Sequence, residues 1–463
     1  MKKSLLLFLA MGASAMTFAA EEPMIYDAFR CDQMSANGAW MIGRSNTWEY
    51  EGGLYTESSI CEVATGKIYG TADLYTLTPY SRPISNTGVA IMSTYDEETN
   101  YYEVPFLLVP GQEPKMLKQF YTSGVYAGKE CYAMAIADDA SCFLAYYEEY
   151  PKQYPFICAI NDDYTVGEPE YLPLPAADIN GEAPYYVTVT SMSRDCNTLA
   201  GMVLTGDGKT SYPIVYTRKN GDWEWYCPTV ELYDTENPEN FPNFYESQIA
   251  LSADGTKLAC TQKIPGAVVN FDDYAVWVFD LKEGTHSVIE SENKDIVATQ
   301  ILDDGTVVGT FFATIKVSYI YQPGSEDFID FAEYAGKVNP EYGKWMEDNL
   351  MVVVMDVDEN GNQVETTYPN TGQVFVSDNL SVFGAGLQTT EYDQYYNPVL
   401  FSYVFTDTNP AGVENVNVAP DTENPQPVFN IQGVKVATVR NIEEMNALPA
   451  GIYIVNGKKV AIR

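Results

Sequence analysis

The chain has 463 residues, 46% of them hydrophobic, enough for a large core, and carries 64 acidic against 26 basic side chains for a net charge of −38. A field of that sign repels phosphate backbones and anionic lipid surfaces, which disfavours nucleic acid and membrane insertion as partners. The same charge also keeps an exported protein soluble without any further role.

Residues 1–20 place Lys2 and Lys3 ahead of the apolar run LLLFLAMGA and end on the small residues Ala19 and Ala20. That layout predicts a cleavable secretory signal, too short to span a bilayer, and hence export to the cell surface, the extracellular space or the periplasm. The first cysteine is Cys31, well past the apolar run, so no lipid-attachment signal is read.

Over residues 23–408 one short string recurs, clearest as LSADGTKLAC at Leu251 to Cys260. Its Ser252 position is matched by Ser35, Ser85, Ala137, Ser193, Leu302 and Ser377, at spacings between 50 and 75 residues. The period is that of a four-stranded propeller blade with variable loops. Each copy reads as a strand, a turn on Asp, Asn or Gly that tolerates positive φ, and a second strand. A single blade cannot bury both faces, so the fold class predicted is all-β, a seven-bladed β-propeller whose blades stack around an axis. The repeat resembles the extracellular HAF-type and related Bacteroidota propeller repeats, built on an apolar-Ser-x-Asp-Gly-x-x-x-x-Gly string. That resemblance implies the propeller fold and leaves the activity open.

Between the turns the text is strand-like, with Asn220-Gly221 marking a two-residue hairpin and Glu283-Gly284 another turn. A helical insertion is predicted over about 326–349, where Phe328, Phe331, Tyr334 and Ala335 fall at helical spacing. The seventh blade lacks one strand after Phe405, and Pro23 to Asp27 is the predicted supplement that closes the ring. Residues 409–427, rich in Asn, Pro and acids, read as a linker. Residues 428–463 read as a small C-terminal β module with turns at Gly433, Gly451 and Gly457. Its VFNIQGVKV and LPAGIYIVNGKK segments and basic end resemble the type IX secretion sorting tail of Bacteroidota, which implies the secretion machinery as a partner.

Eight cysteines in an exported chain permit disulfides. Cys142 and Cys158 flank a predicted hairpin centred near Tyr150. They are either bridged across neighbouring strands or left as two core thiols.

The single histidine, His286, excludes a multi-histidine metal site and reads as a solvated residue beside Gly284. A nucleophile elbow, a Cys-x-x-Cys pair and a Gly-rich phosphate loop are all absent from the sequence. Paired carboxylates suitable for a glycosidase or lyase are too abundant to single out. Asp356, Asp358 and Asn360, followed by Gly361, have the spacing of the first half of an EF-hand-like calcium loop, but Thr367 stands at the twelfth position. The competing reading is an Asn-Gly hairpin tip, and no other cofactor is expected.

The better functional pointer is aromatic. After the turn string, at similar offsets, come Trp48 and Tyr50, then Tyr95 and Tyr101, then Tyr146 and Tyr150, then Tyr392 and Tyr395. That offset is the loop between the second and third strands of a blade, so repetition gathers tyrosines and acids on one face. Such a face suits a glycan or a protein ligand, and its residues alternatively pack on their own blades. The first reading is a non-catalytic binding module. The alternatives are a carboxylate-dependent polysaccharide-degrading enzyme and a structural scaffold of an envelope assembly.

Overall fold

The computed structural model describes residues 23–50, 53–71, 74, 76–77, 82–99, 101–234, 236–237, 240–265, 272–289, 291, 295–312, 316–357, 362–392, 398–406, 426–430, 435–439, 448, 451–455 and 458–462. The signal-like residues 1–20 lie outside them, as does most of the linker.

Seven antiparallel four-stranded sheets follow one another along the chain, at 29–70, 76–116, 130–171, 186–226, 243–289, 296–330 and 375–406. These are blades 1 to 7. The last supplies three strands, and its outer strand is Met24–Asp27 from the start of the chain, paired antiparallel with Pro398–Thr406. First and last segments thus share one sheet, which closes the ring and removes its free edges.

Every copy of the serine string forms the turn between the first and second strands of its blade. The reason is local. Ser252 is fully buried, its Oγ accepts the Lys257 N–H (2.9 Å) and donates to Asp254 (2.8 Å), while Gly255 takes φ +72°. Ser35, Ser193 and Ser377 make the same pair of bonds. The hydroxyl therefore occupies the donor and acceptor that a tight buried turn would otherwise leave unmatched. In the sixth copy Leu302 replaces the serine, and the buried Thr306 hydroxyl has no hydrogen-bond partner.

First strands carry a β-bulge, as at Cys31/Gln33, Ala133/Ala135 and Ala298/Gln300. The N–H freed there is taken by a hydroxyl of the preceding blade: Ser402 for Cys31 (2.8 Å), Ser93 for Ala133 (2.9 Å) and Thr261 for Ala298 (3.0 Å). Apolar clusters fill the spaces between blades, for instance Ile42, Ile60, Met92 and Phe106 between blades 1 and 2. This is the stacking that a one-sheet unit requires.

Between blades 6 and 7 two helices, Phe331–Val338 and Pro340–Leu350, pack Phe331, Tyr334, Tyr342 and Met346 against Phe383 and Phe405. Asp330 and Asn339 cap them, accepting the N–H groups of Ala332 (2.7 Å) and Glu341 (3.1 Å). A two-stranded hairpin, Met351–Val357 with Gln363–Pro369, follows. The last strands, Gln426–Asn430, Lys435–Val439, Gly451–Val455 and Lys458–Ile462, form a separate four-stranded sheet.

Cys142 and Cys158 are neither bridged to each other nor both left as thiols. Cys142 pairs with Ala159 and Phe143 with Cys158, so the two cysteines are one residue out of register and point to opposite faces of blade 3. Cys142 is instead bonded to Cys196, in the serine-string turn of blade 4, with Cα atoms 7.1 Å apart. Cys158 is a buried free thiol, pushed up to about 12 by burial. His286 is exposed but belongs to a strand, with its ring stacked on Trp277 (5.0 Å between centroids).

Candidate functional site

In a four-stranded antiparallel blade the connections alternate between the two ends of the sheet. The serine-string turns therefore emerge on one face of the ring and the second-to-third-strand hairpins on the other. Each face is a candidate site.

On the turn face, the residues following the string positions are Ala36, Asn86, Asp138, Arg194, Ala253, Asp303 and Asp378, of which Ala36, Asp138 and Asp378 line one cavity. They form a chain of links between blades. The N–H groups of Asn86, Arg194 and Asp378 each donate to the next blade's carbonyl, at Asp138, Ala253 and Ala36 (2.7 Å in each case). Where this position is alanine, the following N–H reaches a side chain instead, Asn37 to Asn86 (2.8 Å) and Asp254 to Asp303 (2.9 Å). Two arginines complete the ring. Arg82 meets Asp378 (3.2 Å) and Asp138 (3.7 Å), and Arg194 meets Asp303 (2.6 Å) and Asp378 (3.6 Å). Burial lifts the carboxyls of Asp138, Asp303 and Asp378 above the usual range, and the guanidiniums pull them partly back.

The axial cavity beneath, lined by residues including Gln33, Arg82, Thr299, Gln300 and Asp378, measures about 60 Å³. Small-molecule sites typically occupy ~300–1,000 Å³. This mouth spends its charges on holding blades together. Sequence reasoning missed it, although the variable position after each string serine was the signal: seven aligned positions holding one arginine and three aspartates.

On the opposite face, the expected tyrosines fall on second-to-third-strand hairpins. Tyr150 is 82% exposed, Tyr101 63% and Tyr95 41%. Tyr101, at φ +63°, donates its hydroxyl to Glu97 (3.1 Å). The Tyr150 hydroxyl lies 3.5 Å from that of Tyr185, just ahead of blade 4. Trp48 is half-buried against its cross-strand partner Tyr55 (5.7 Å between centroids). Tyr146 is drawn inward, half-buried and stacked on Tyr132 (5.0 Å, 13°), so it offers no free ring face on that side. Tyr50 and Tyr392 lie in strands whose ends reach this face, with side chains outside the described residues, and Tyr395 lies wholly outside them.

The exposed aromatics thus form an arc over blades 1 to 4. Blade-to-blade connections end on the same face, and they add Tyr121, stacked on Tyr102 (5.6 Å), exposed Val125 and Tyr185. These additions were legible as the positions just before each first strand.

Beneath the arc Glu103 is buried, 2% exposed, close to Glu130 and Glu148. Burial, and then the two neighbouring acids, push its carboxyl up to about 8 despite a hydrogen bond with Ser93. Asp96, Glu98 and Glu149 hold Lys118 and Lys129.

Asp356 stands in a hairpin strand with its side chain outside the described residues, and Asp358 and Asn360 lie outside them altogether. Among the described residues no group of three or more His, Cys, Asp or Glu is placed to hold a metal ion. No helix among them is long and apolar enough to cross a membrane.

No family model and no curated protein matches the sequence. Among solved structures the chain is similar to the polysaccharide lyase Uly1, at 8% identity and TM-score 0.46, covering 84% of this chain and 98% of that one. It is also similar to the β-propeller domain of the Trilobed protease from Pyrococcus furiosus, at 8% identity and TM-score 0.39, covering 73% and 99%. A third is a structure from work on two prolyl endopeptidases, at 11% identity and TM-score 0.40, covering 76% of this chain. The chain spans 44% of that protein's length. Likenesses this distant carry no argument about this chain, whose fold follows from its own sheet topology.

Proposed function

We propose that this chain is an exported binding module that engages a glycan or protein ligand through the aromatic arc on its hairpin face. The observation that carries this reading is the exposure of Tyr95, Tyr101 and Tyr150 on one face of a rigid ring. A tyrosine held on a hairpin offers an apolar ring and a polar tip at little entropic cost. The arc has both carboxylates and lysines at its rim, which suits a neutral or basic ligand in a chain of net charge −38. An oxidising destination fits the Cys142–Cys196 bond between blades. The C-terminal sheet, by its resemblance to a type IX tail, is then the part read by the secretion machinery. Calcium at Asp356, Asp358 and Asn360 is the alternative to a plain Asn-Gly hairpin tip there, and its test is a thermal-shift titration in which millimolar calcium leaves the melting temperature unmoved if the idea is wrong.

The test of the main reading is a glycan array and an envelope-protein pull-down with the wild type and a Tyr101→Ala/Tyr150→Ala double variant. Specific capture lost in the variant supports it, and capture indifferent to both tyrosines sinks it.

One observation favours a second reading, that of a carboxylate-dependent polysaccharide-degrading enzyme. Glu103, its carboxyl pushed up to about 8 by burial and by Glu130, stands in a group of three acids with Glu130 and Glu148, and a raised carboxyl is what a general acid needs. Product release from a polysaccharide panel, abolished in Glu103→Gln, would establish it.

A further inference from the structure

One open cleft among the described residues lies away from both the axial mouth and the tyrosine arc. It runs between the outer parts of blades 5 and 6 on the serine-turn face, with a volume of about 260 Å³ against about 60 Å³ at the axis. We propose that this groove is a saccharide subsite that takes one neutral hexose residue.

Its floor is apolar. Val278 of blade 5 and the half-buried Tyr321 of blade 6 both line it and pack on the same apolar cluster, and Phe328 sets the Tyr321 ring (5.7 Å between centroids). Its blade 5 wall is polar, formed by the Lys257–Asp280 ion pair and by Thr285 and Ser287 on the outermost strand. Asp304 completes the rim from blade 6. The blade 6 wall is recessed by Gly305 and Gly324, both at φ +91°, and a side-chain carbon at Gly324 would meet nothing within 4 Å.

A hexose presents a C–H face, which lies well on a tyrosine ring, and a rim of hydroxyls that both donate and accept. Asp280 and Asp304 accept from such hydroxyls, Lys257 donates to them, and Thr285 and Ser287 do either. Two carboxylates against one ammonium, in a chain of net charge −38, repel uronates and phosphorylated sugars and leave neutral ones. The volume suits a single ring, since full drug-sized sites begin near ~300 Å³.

The site is independent of the tyrosine arc, which lies on the other face. The experiment is saturation-transfer NMR on the purified chain with methyl glycosides of glucose, galactose, mannose and N-acetylglucosamine, each at about 10 mM because one-ring contacts give millimolar affinity. Transfer to at least one glycoside is expected. Ser287→Trp, which fills the groove from an exposed strand position, and Tyr321→Ala, which removes its floor, should each weaken it about tenfold or more. Tyr150→Ala should leave it unchanged. No transfer to any of the four glycosides, or transfer indifferent to Ser287→Trp, overturns the proposal. Loss in Tyr150→Ala with retention in Ser287→Trp places the sugar on the tyrosine face and equally overturns it.

Discussion

Arg194 of blade 4 and Asp303 of blade 6 meet at the axis, Nη2 to Oδ2 2.6 Å, although 109 residues separate them. Blade 5 lies between, tied to both: the Ala253 carbonyl accepts the Arg194 N–H, and the Asp254 N–H reaches the other Asp303 oxygen. Both side chains are partly exposed, so their charge pair alone is worth at most about 1 kcal/mol. The N–H acceptor matters more. Asp303→Ala should destabilise by about 1–3 kcal/mol in urea unfolding, and Asp303→Asn, which keeps the acceptor, by less than about 1 kcal/mol. Equal costs for the two would show that charge, rather than the backbone link, holds the mouth.

The seam of the ring rests on a close backbone approach. A side-chain carbon at Gly386, in blade 7, would lie 2.2 Å from the Cys31 nitrogen in blade 1. Backbone cannot yield as a side chain does, so Gly386→Ala must part the two blades. A loss of at least about 2–3 kcal/mol is expected. Gly208→Ala, where the space is open but φ is +71°, serves as the control and should cost about 1 kcal/mol. A Gly386→Ala protein as stable as that control would mean the seam is not closed in this way.

Non-reducing peptide mapping should recover Cys142 linked to Cys196 and six alkylatable thiols after unfolding. Cys196→Ser should lower stability by about 2–4 kcal/mol. A Cys142–Cys158 peptide would contradict the register of blade 3.

Glu103 makes stability depend on pH in a defined direction. Its folded carboxyl titrates at about 8 against 4.5 ordinarily, so between those values the folded state holds a proton that the unfolded state has lost. Its contribution to stability therefore falls as pH rises from about 4.5 to 8 and levels off above. Glu103→Gln should flatten that slope and raise stability at pH 8, by an amount on the order of a few kcal/mol. An unchanged slope in the variant would assign the dependence elsewhere.

Tyr101 and Tyr150 are exposed enough for truncation to leave folding intact. Each alanine variant should unfold within about 0.5 kcal/mol of the wild type. Ligand affinity, if the arc is the binding face, should fall at least about tenfold. Stability lost without any loss of binding would make these residues blade packing.

Much of this architecture is written in short stretches of sequence, because its causes are short-ranged. Ser252, Asp254 and Gly255 make their turn with one another and with Lys257, so a turn string recurring seven times, with serine in five of the copies, announced seven blades. Asn220 and Gly221, at φ +54° and +96°, close the expected two-residue hairpin for the same reason. Of the helically spaced Phe328, Phe331, Tyr334 and Ala335, the last three form the buried stripe of a helix while Phe328 falls ahead of it, before the strand Ile329–Asp330, and Met24–Asp27 was the one strand left over to complete blade 7.

What the sequence could not decide are matters of parity and convergence. Whether Cys142 faces Cys158 depends on a single step of register, which turns a side chain to the opposite side of the sheet. Arg82, Asp138, Arg194, Asp303 and Asp378 become one cluster only when the ring closes, because the first strand of each blade delivers its residue to the same axis from a different part of the chain. Turns are settled by neighbours in sequence, whereas charge pairing and sulfur pairing are settled by neighbours in space, and in a propeller those lie a blade or more apart.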